Sequence, residues 1–184
     1  MTKIIIGLSG EIACGKGTVA KYIAEKYNAG SYRFSTMLRD AMNRLYIGQN
    51  RENISTFSTM LRQNFGEDLF AKVMAEDVKK DETEIIVIDG IRRLADIEYL
   101  KKIPEFKFAY IEADIKKCYD RIIQRDENTD DKDKTFDEFL EEHNLETETQ
   151  IKDLKNHADI IIENNGTIED LYEKVDNIIN EKIK

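Results

Sequence analysis

The chain runs from one short apolar stretch, Lys3 to Leu8, straight into Gly10-Glu11-Ile12-Ala13-Cys14-Gly15-Lys16-Gly17-Thr18. The stretch reads as a buried strand, the glycines as a tight turn, and the lysine and hydroxyl as the start of a helix. That order is the pattern of a phosphate-binding loop. Glycines let backbone N–H groups turn toward phosphate oxygens, and a new helix adds its unpaired N–H groups and the positive end of its dipole. Lys16 supplies a full charge. The usual pattern has Ser or Thr directly after the lysine, whereas here Gly17 follows Lys16 and Thr18 comes next. The phosphate-binding residues expected from the pattern are Gly10, Ala13, Cys14, Gly15, Lys16, Gly17 and Thr18. The competing explanation is a chance glycine turn.

The remaining pattern alternates strand and helix. Residues 84–89 and 106–111 and the run from Asp159 to Ile162 read as further buried strands, and a short one is expected near 31–34. Residues 16–28, 36–46, 52–79 (broken near Gly66) and 115–126 read as helices. The last helix carries Ile168, Leu171, Tyr172, Val175, Ile178 and Ile179 at three- and four-residue spacing, which makes a core-facing stripe. Short apolar strands alternating with helices predict an α/β fold: a five-stranded parallel sheet with helices on both faces. With 184 residues the chain is expected to form a single domain, 1–184, with a helical insertion over 35–80 and a lid-like segment over 126–150.

Net charge is −9, which argues against nucleic-acid or anionic-membrane binding. An anionic ligand must therefore be held by local cations. Only Cys14 and Cys118 are present, which gives no disulfide framework and suggests a reducing, cytoplasmic setting. All nine arginines lie between Arg33 and Arg125. Arginine forks match phosphate oxygens bidentately, so this bias locates the anion-handling part of the chain. Arg44, Arg51 and Arg93 are expected to be ordinary surface charges. Arg121 and Arg125 stand four apart and share one helix face. Asp89 closes an apolar strand at the edge where such sheets bind ligands, which suits a Mg²⁺ carboxylate; a turn aspartate before Gly90 is the alternative. Phe34-Ser35-Thr36-Met37-Leu38-Arg39 recurs as Phe57-Ser58-Thr59-Met60-Leu61-Arg62. Each copy reads as a helix start with an arginine one turn in, which suggests two arginines converging on one anion; coincidence is the competing reading.

These motifs together resemble the nucleoside-monophosphate kinase group of phosphate-loop proteins. Gly15-Lys16-Gly17-Thr18 is similar to the adenylate kinase loop. Ser35 to Arg39 resembles the acceptor helix of that group, whose arginine grips the monophosphate. Asp89-Gly90-Ile91-Arg92 resembles its Asp-Gly-(two residues)-Arg turn, shortened by one residue. Arg121 and Arg125 match the arginine pair at the lid hinge. Ala158 through Gly166 is similar to the last strand and base-contacting loop, most of all that of dephospho-coenzyme A kinases. The resemblance implies ATP with Mg²⁺ as cofactor and transfer of its γ-phosphoryl to a nucleoside or deoxynucleoside monophosphate. It implies Lys16, Arg92, Arg121 and Arg125 in catalysis, Ser35, Arg39, Arg62 and Arg92 at the acceptor, Asn165 and Gly166 at the base, and Asp89 at the metal.

Two departures accompany it. Residues 126–148 hold eleven acids, two lysines and no arginine, where adenylate kinase lids commonly supply arginines. Gly17 removes the hydroxyl that usually meets Mg²⁺. The alternative readings are a dephospho-coenzyme A kinase and an ATP-binding switch or assembly module. The first expects an acid after the second strand, and residues 31–36 contain none. A GTPase is disfavoured because no Asn-Lys-x-Asp motif is present.

Overall fold

The structure is a computed structural model that describes residues 3–124, 134–144 and 146–183. Strands β1 (Ile4–Gly10), β2 (Gly30–Arg33), β3 (Ile85–Asp89), β4 (Phe106–Glu112) and β5 (Ile160–Glu163) form one parallel sheet in the order β2-β3-β1-β4-β5. The expected five-stranded α/β architecture is the observed one. The helices are α1 (Lys16–Tyr27), α2 (Phe34–Arg44), α3 (Arg51–Phe65), α4 (Leu69–Lys80), α5 (Leu94–Leu100), α6 (Ile115–Ile122), α7 (Phe136–His143), α8 (Glu146–Asp153) and α9 (Ile168–Ile183).

Strand alternation divides the core in two. Ile4, Ile6 and Leu8 face Val19 and Ile23 of α1 and Leu171, Val175 and Ile179 of α9. Ile5, Ile86, Ile88 and Phe108 face the other way, onto Leu38 of α2, Met74 and Val78 of α4 and Leu100 of α5. Every residue of β1 is buried, as a central parallel strand covered on both faces requires. Each large apolar side chain so buried contributes about 1.5–3 kcal/mol.

Three helices were not legible as such. Helix α5 is only seven residues long, and α7 and α8 lie in the acidic stretch expected to be a lid. Phe139 of α7 is fully buried in the core under α1 and α9, and Ile151 of α8 is buried against the opposite sheet face. Part of the expected lid is therefore built into the body of the protein. The helix expected to reach residue 126 ends at Ile122. No described helix is long and apolar enough to cross a membrane.

Candidate functional site

The loop between β1 and α1 sits at the carboxyl edge of the sheet centre. Gly10, Ala13 and Gly15 all have positive φ, at 146°, 57° and 108°. A Cβ on Gly10 would collide with the carbonyl oxygen of Ile111, and one on Gly15 with Nδ2 of Asn164. Ala13 and Gly15, left-handed on either side of Cys14, give a backbone of the kind that gathers N–H groups into an anion-binding concavity. Lys16 closes the loop on itself: Nζ donates to the carbonyl oxygens of Gly10 at 2.7 Å and Glu11 at 2.6 Å. Gly17 and Thr18 are exposed on the first turn of α1, and a Cβ on Gly17 would meet nothing within 4 Å.

The loop is braced from two sides. Asn164, buried just past β5, donates from Nδ2 to the Cys14 carbonyl at 2.9 Å. Arg121 of α6 in turn donates from Nη2 to the Asn164 carbonyl at 2.8 Å and to its Oδ1 at 3.3 Å. On the other side, the loop's Glu11 carboxylate meets His143 Nε2 of α7 at 3.3 Å and Lys152 Nζ of α8 at 3.6 Å. Cys14 is fully buried, and that burial raises its thiol pKa; burial likewise pushes Cys118 up to about 12. Both are thus held as neutral thiols, packing groups under the loop.

Asp89 ends β3, the strand paired with β1 through Gly7 and Ile88. Its side chain is 8% exposed, and Oδ2 accepts from Arg33 Nε at 2.9 Å. Its Oδ1 is buried without a hydrogen-bond partner among the described residues, as is Arg121 Nη1. An orphaned carboxylate oxygen and an orphaned guanidinium donor, beside one loop, suit a cation and an anion respectively. Asp89 Oδ1 can serve as one carboxylate ligand to a divalent cation, and no further cluster of acids, histidines or cysteines surrounds it among the described residues.

Asn165 accepts at Oδ1 from the Asp114 N–H at 2.8 Å, and its carbonyl accepts from Lys117 Nζ. It borders a polar cleft of about 400 Å³ over the ends of β4 and β5, lined also by Glu11, Glu112 and Lys155. Gly166 is exposed one residue on. Ser35 lies half-buried in the first turn of α2, and Arg39, exposed further along it, donates to Gln49 Oε1 at 3.1 Å. Arg92 is exposed two residues past Gly90. Arg125 lies outside the described residues.

Arg62 requires a correction. The second copy of the hexapeptide is in the middle of α3, not at a helix start. Arg62 is 5% exposed, forked onto Asp96 at 3.1–3.2 Å, bonded to the Glu67 carbonyl, and stacked over Phe70 with its guanidinium carbon 4.7 Å from the ring centre. It is a core ion pair and does not join Arg39. Burial raises the Asp96 carboxyl to about 6, with Arg62 pulling the other way. Arg93, as expected, is a surface charge, 3.1 Å from Glu67.

Sequence reasoning passed over Arg33, Asn164 and Glu11. Asn164 was within reach: Ile162 points to the α1 face, so period-two alternation puts Asn164 there too.

Residues 9–139 match the AAA domain family (AAA_17), and the chain belongs to it. A "UPF0200 protein" of Staphylothermus marinus is 27% identical over 184 residues, covering 100% of this chain and 95% of that one. Among solved structures, TT1252 from Thermus thermophilus superposes with a TM-score of 0.67 at 16% identity, covering 98% of both chains. Shikimate kinase from Bacteroides thetaiotaomicron does so at 0.62 and 17%, covering 96% of this chain and 98% of that one. At such identities the likeness establishes the fold, which is that of the phosphate-loop kinases.

Proposed function

We propose, from this family membership and the loop, that the protein is an ATP-dependent phosphotransferase acting on a nucleoside or deoxynucleoside monophosphate. The observation that carries the reading is the pairing of a left-handed, glycine-turned loop closed by Lys16 with a buried, half-satisfied carboxylate at Asp89 on the neighbouring strand.

Lys16 exchanges its two loop carbonyls for phosphate oxygens when the nucleotide enters, and the loop amides and the first turn of α1 hold the same oxygens. Asp89 would hold a divalent cation, which when bound supplies charge neutralisation on the phosphates. Arg121, through its unpartnered Nη1, and Arg125 neutralise charge at the transferring group. Arg39 and Arg92 hold the acceptor's phosphate, with Ser35 beside them. Asn165 and Gly166 border the base. An acceptor phosphate is already an anionic nucleophile, so the chain needs to supply no general base, and positioning with charge neutralisation does the work. The cationic end of β2 supports an anionic acceptor over a hydroxyl one: in residues 31–36 the only ionisable side chains are Tyr32 and Arg33.

The test is a panel of ribo- and deoxyribonucleoside monophosphates with dephospho-coenzyme A and shikimate, each incubated with Mg-ATP and scored by product mass. A diphosphate product from a monophosphate is the expected result. Transfer to dephospho-coenzyme A or shikimate alone overturns the acceptor assignment, and no transfer with ATP retained overturns the enzymatic one.

A further inference from the structure

Arg33 is the last residue of β2 and stands in register with Asp89 on β3. Its Nε spends a hydrogen bond on Asp89 Oδ2 at 2.9 Å, while its side chain is 56% exposed against 8% for the aspartate. That Nε contact is its one hydrogen bond among the described residues. A guanidinium held by Nε alone keeps two amino groups for an oxyanion, a planar fork that matches a phosphate edge-on. Two facts follow. The carboxylate that suits the divalent cation is capped by a cation of its own. And that cap carries an exposed guanidinium fork at the strand edge from which α2 starts, with Phe34 the next residue.

A guanidinium and a divalent cation repel, and here they would share the charge of one buried carboxylate, Arg33 on Oδ2 and the cation at the unpartnered Oδ1. We propose that Arg33 is an acceptor-binding residue with two positions: on Asp89 when the acceptor site is empty, and on the acceptor's phosphate when it is filled. A phosphate monoester thereby draws Arg33 off Asp89 Oδ2 and removes a positive charge from beside the cation's oxygen, Oδ1. Binding of acceptor and cation is then positively coupled, and by linkage each tightens the other by the same factor. Arg33 also sets specificity, because an acceptor without an oxyanion cannot move it. The cation half of this proposal rests on the reading of Asp89 given above, and the acceptor half on the monophosphate acceptor of the proposed function.

The experiment is calorimetric titration of the full chain, with its loop filled by a non-hydrolysable ATP analogue, using AMP, GMP, CMP and UMP as probes. The tightest probe is carried forward with and without Mg²⁺. In the wild type, Mg²⁺ should tighten monophosphate binding several-fold. Arg33→Met should weaken it by roughly ten- to a hundredfold, the worth of a charge-assisted pair of hydrogen bonds, and abolish the Mg²⁺ effect. Asp89→Asn should do the opposite: it loosens the cap, so monophosphate binds more tightly than to wild type in the absence of Mg²⁺. Circular dichroism of both variants checks folding. If Mg²⁺ has no effect on the wild type while the two variants still move in opposite directions, Asp89 is not the cation ligand and Arg33 remains an acceptor residue. If Arg33→Met binds the probe as wild type does, or if no probe binds the wild type at millimolar concentration, the proposal is wrong.

Discussion

Replacing Arg62 by Met removes a guanidinium from a place where water does not follow. The Arg62 and Asp96 side chains are 5% and 1% exposed, and the pair is bidentate. Breaking such a pair strands a buried charge, which costs about 3–5 kcal/mol, with about 0.5–1 kcal/mol more for the lost stacking on Phe70. The pH dependence gives the sharper test. Burial holds the Asp96 carboxyl at about 6, above its unfolded value; Arg62 and Arg93 pull it down and Glu67 pushes it up. A raised carboxyl takes up a proton on folding, so its contribution to stability is lost as pH rises from about 4 through its folded pKa. Without Arg62 that pKa climbs further. Urea unfolding of Arg62→Met should therefore show a deficit of about 3–5 kcal/mol at pH 7.5 that shrinks by about 2 kcal/mol at pH 5, where Asp96 is neutral. The double variant Arg62→Met with Asp96→Leu should return to within about 1 kcal/mol of wild type at both pH values, since a buried pair replaced whole by apolar groups is nearly neutral. It should also keep its affinity for the acceptor. A single variant as stable as wild type but with a raised Michaelis constant for the monophosphate would refute the burial argument and return Arg62 to the site.

Lys16→Ala should abolish transfer while leaving the thermal midpoint near that of wild type, because the lysine's close partners are two loop carbonyls and its contact with the buried Cys14 Sγ is long, at 3.7 Å; turnover by the purified variant contradicts this. Gly17→Ser should fold at least as well as wild type, since its Cβ meets nothing within 4 Å and serine is the better helix residue by roughly 0.5 kcal/mol; a lowered midpoint on thermal melting counts against it. Gly10→Ala, by contrast, sets a Cβ against the Ile111 carbonyl at positive φ and should lose more than about 1 kcal/mol, read by the same melt. Asn164→Ala should weaken ATP binding by about tenfold through the loosened Cys14 carbonyl, as measured by calorimetry; unchanged affinity means that the loop holds its shape without the brace.

The sheet and its flanking helices were legible because their signals are local. Continuous apolar runs gave four strands to within a residue or two at most ends, and three- and four-residue spacing gave α1 and α9. The phosphate loop was legible for the same reason, since its glycines, lysine and helix start are neighbours in the chain. Helices α7 and α8 were obscured by their charge. Eleven acids between 126 and 148 dominate the composition, yet one phenylalanine, Phe139, pins α7 to the core by its burial beside Tyr119, with ring centres 5.8 Å apart. Mean polarity says little when a few apolar contacts carry the packing: Phe139 and Phe136 on Tyr119 for α7, and Ile151 for α8.

Arginine was the residue type on which local reading failed most, and the reason is physical. An arginine keeps its charge wherever it is placed, so only its partner decides whether it is a core pin or a ligand fork. Arg62 finds Asp96 thirty-four positions on, and Arg33 finds Asp89 fifty-six positions on. Neither distance leaves a trace in helical or strand periodicity. The repeated hexapeptide drew attention to Arg62 because its neighbours matched those of Arg39, but the match lies in sequence, and the second copy sits in a helix interior against Phe70. Arg33 carried no such flag. It becomes visible only when β2 is laid beside β3 and the register places it opposite the aspartate. In an acidic chain proposed to bind anions, the cations that would matter are those a carboxylate holds in place without neutralising them fully. Arg33, with one hydrogen bond spent and its fork exposed, meets that condition; Arg62, with its fork closed on Asp96, does not.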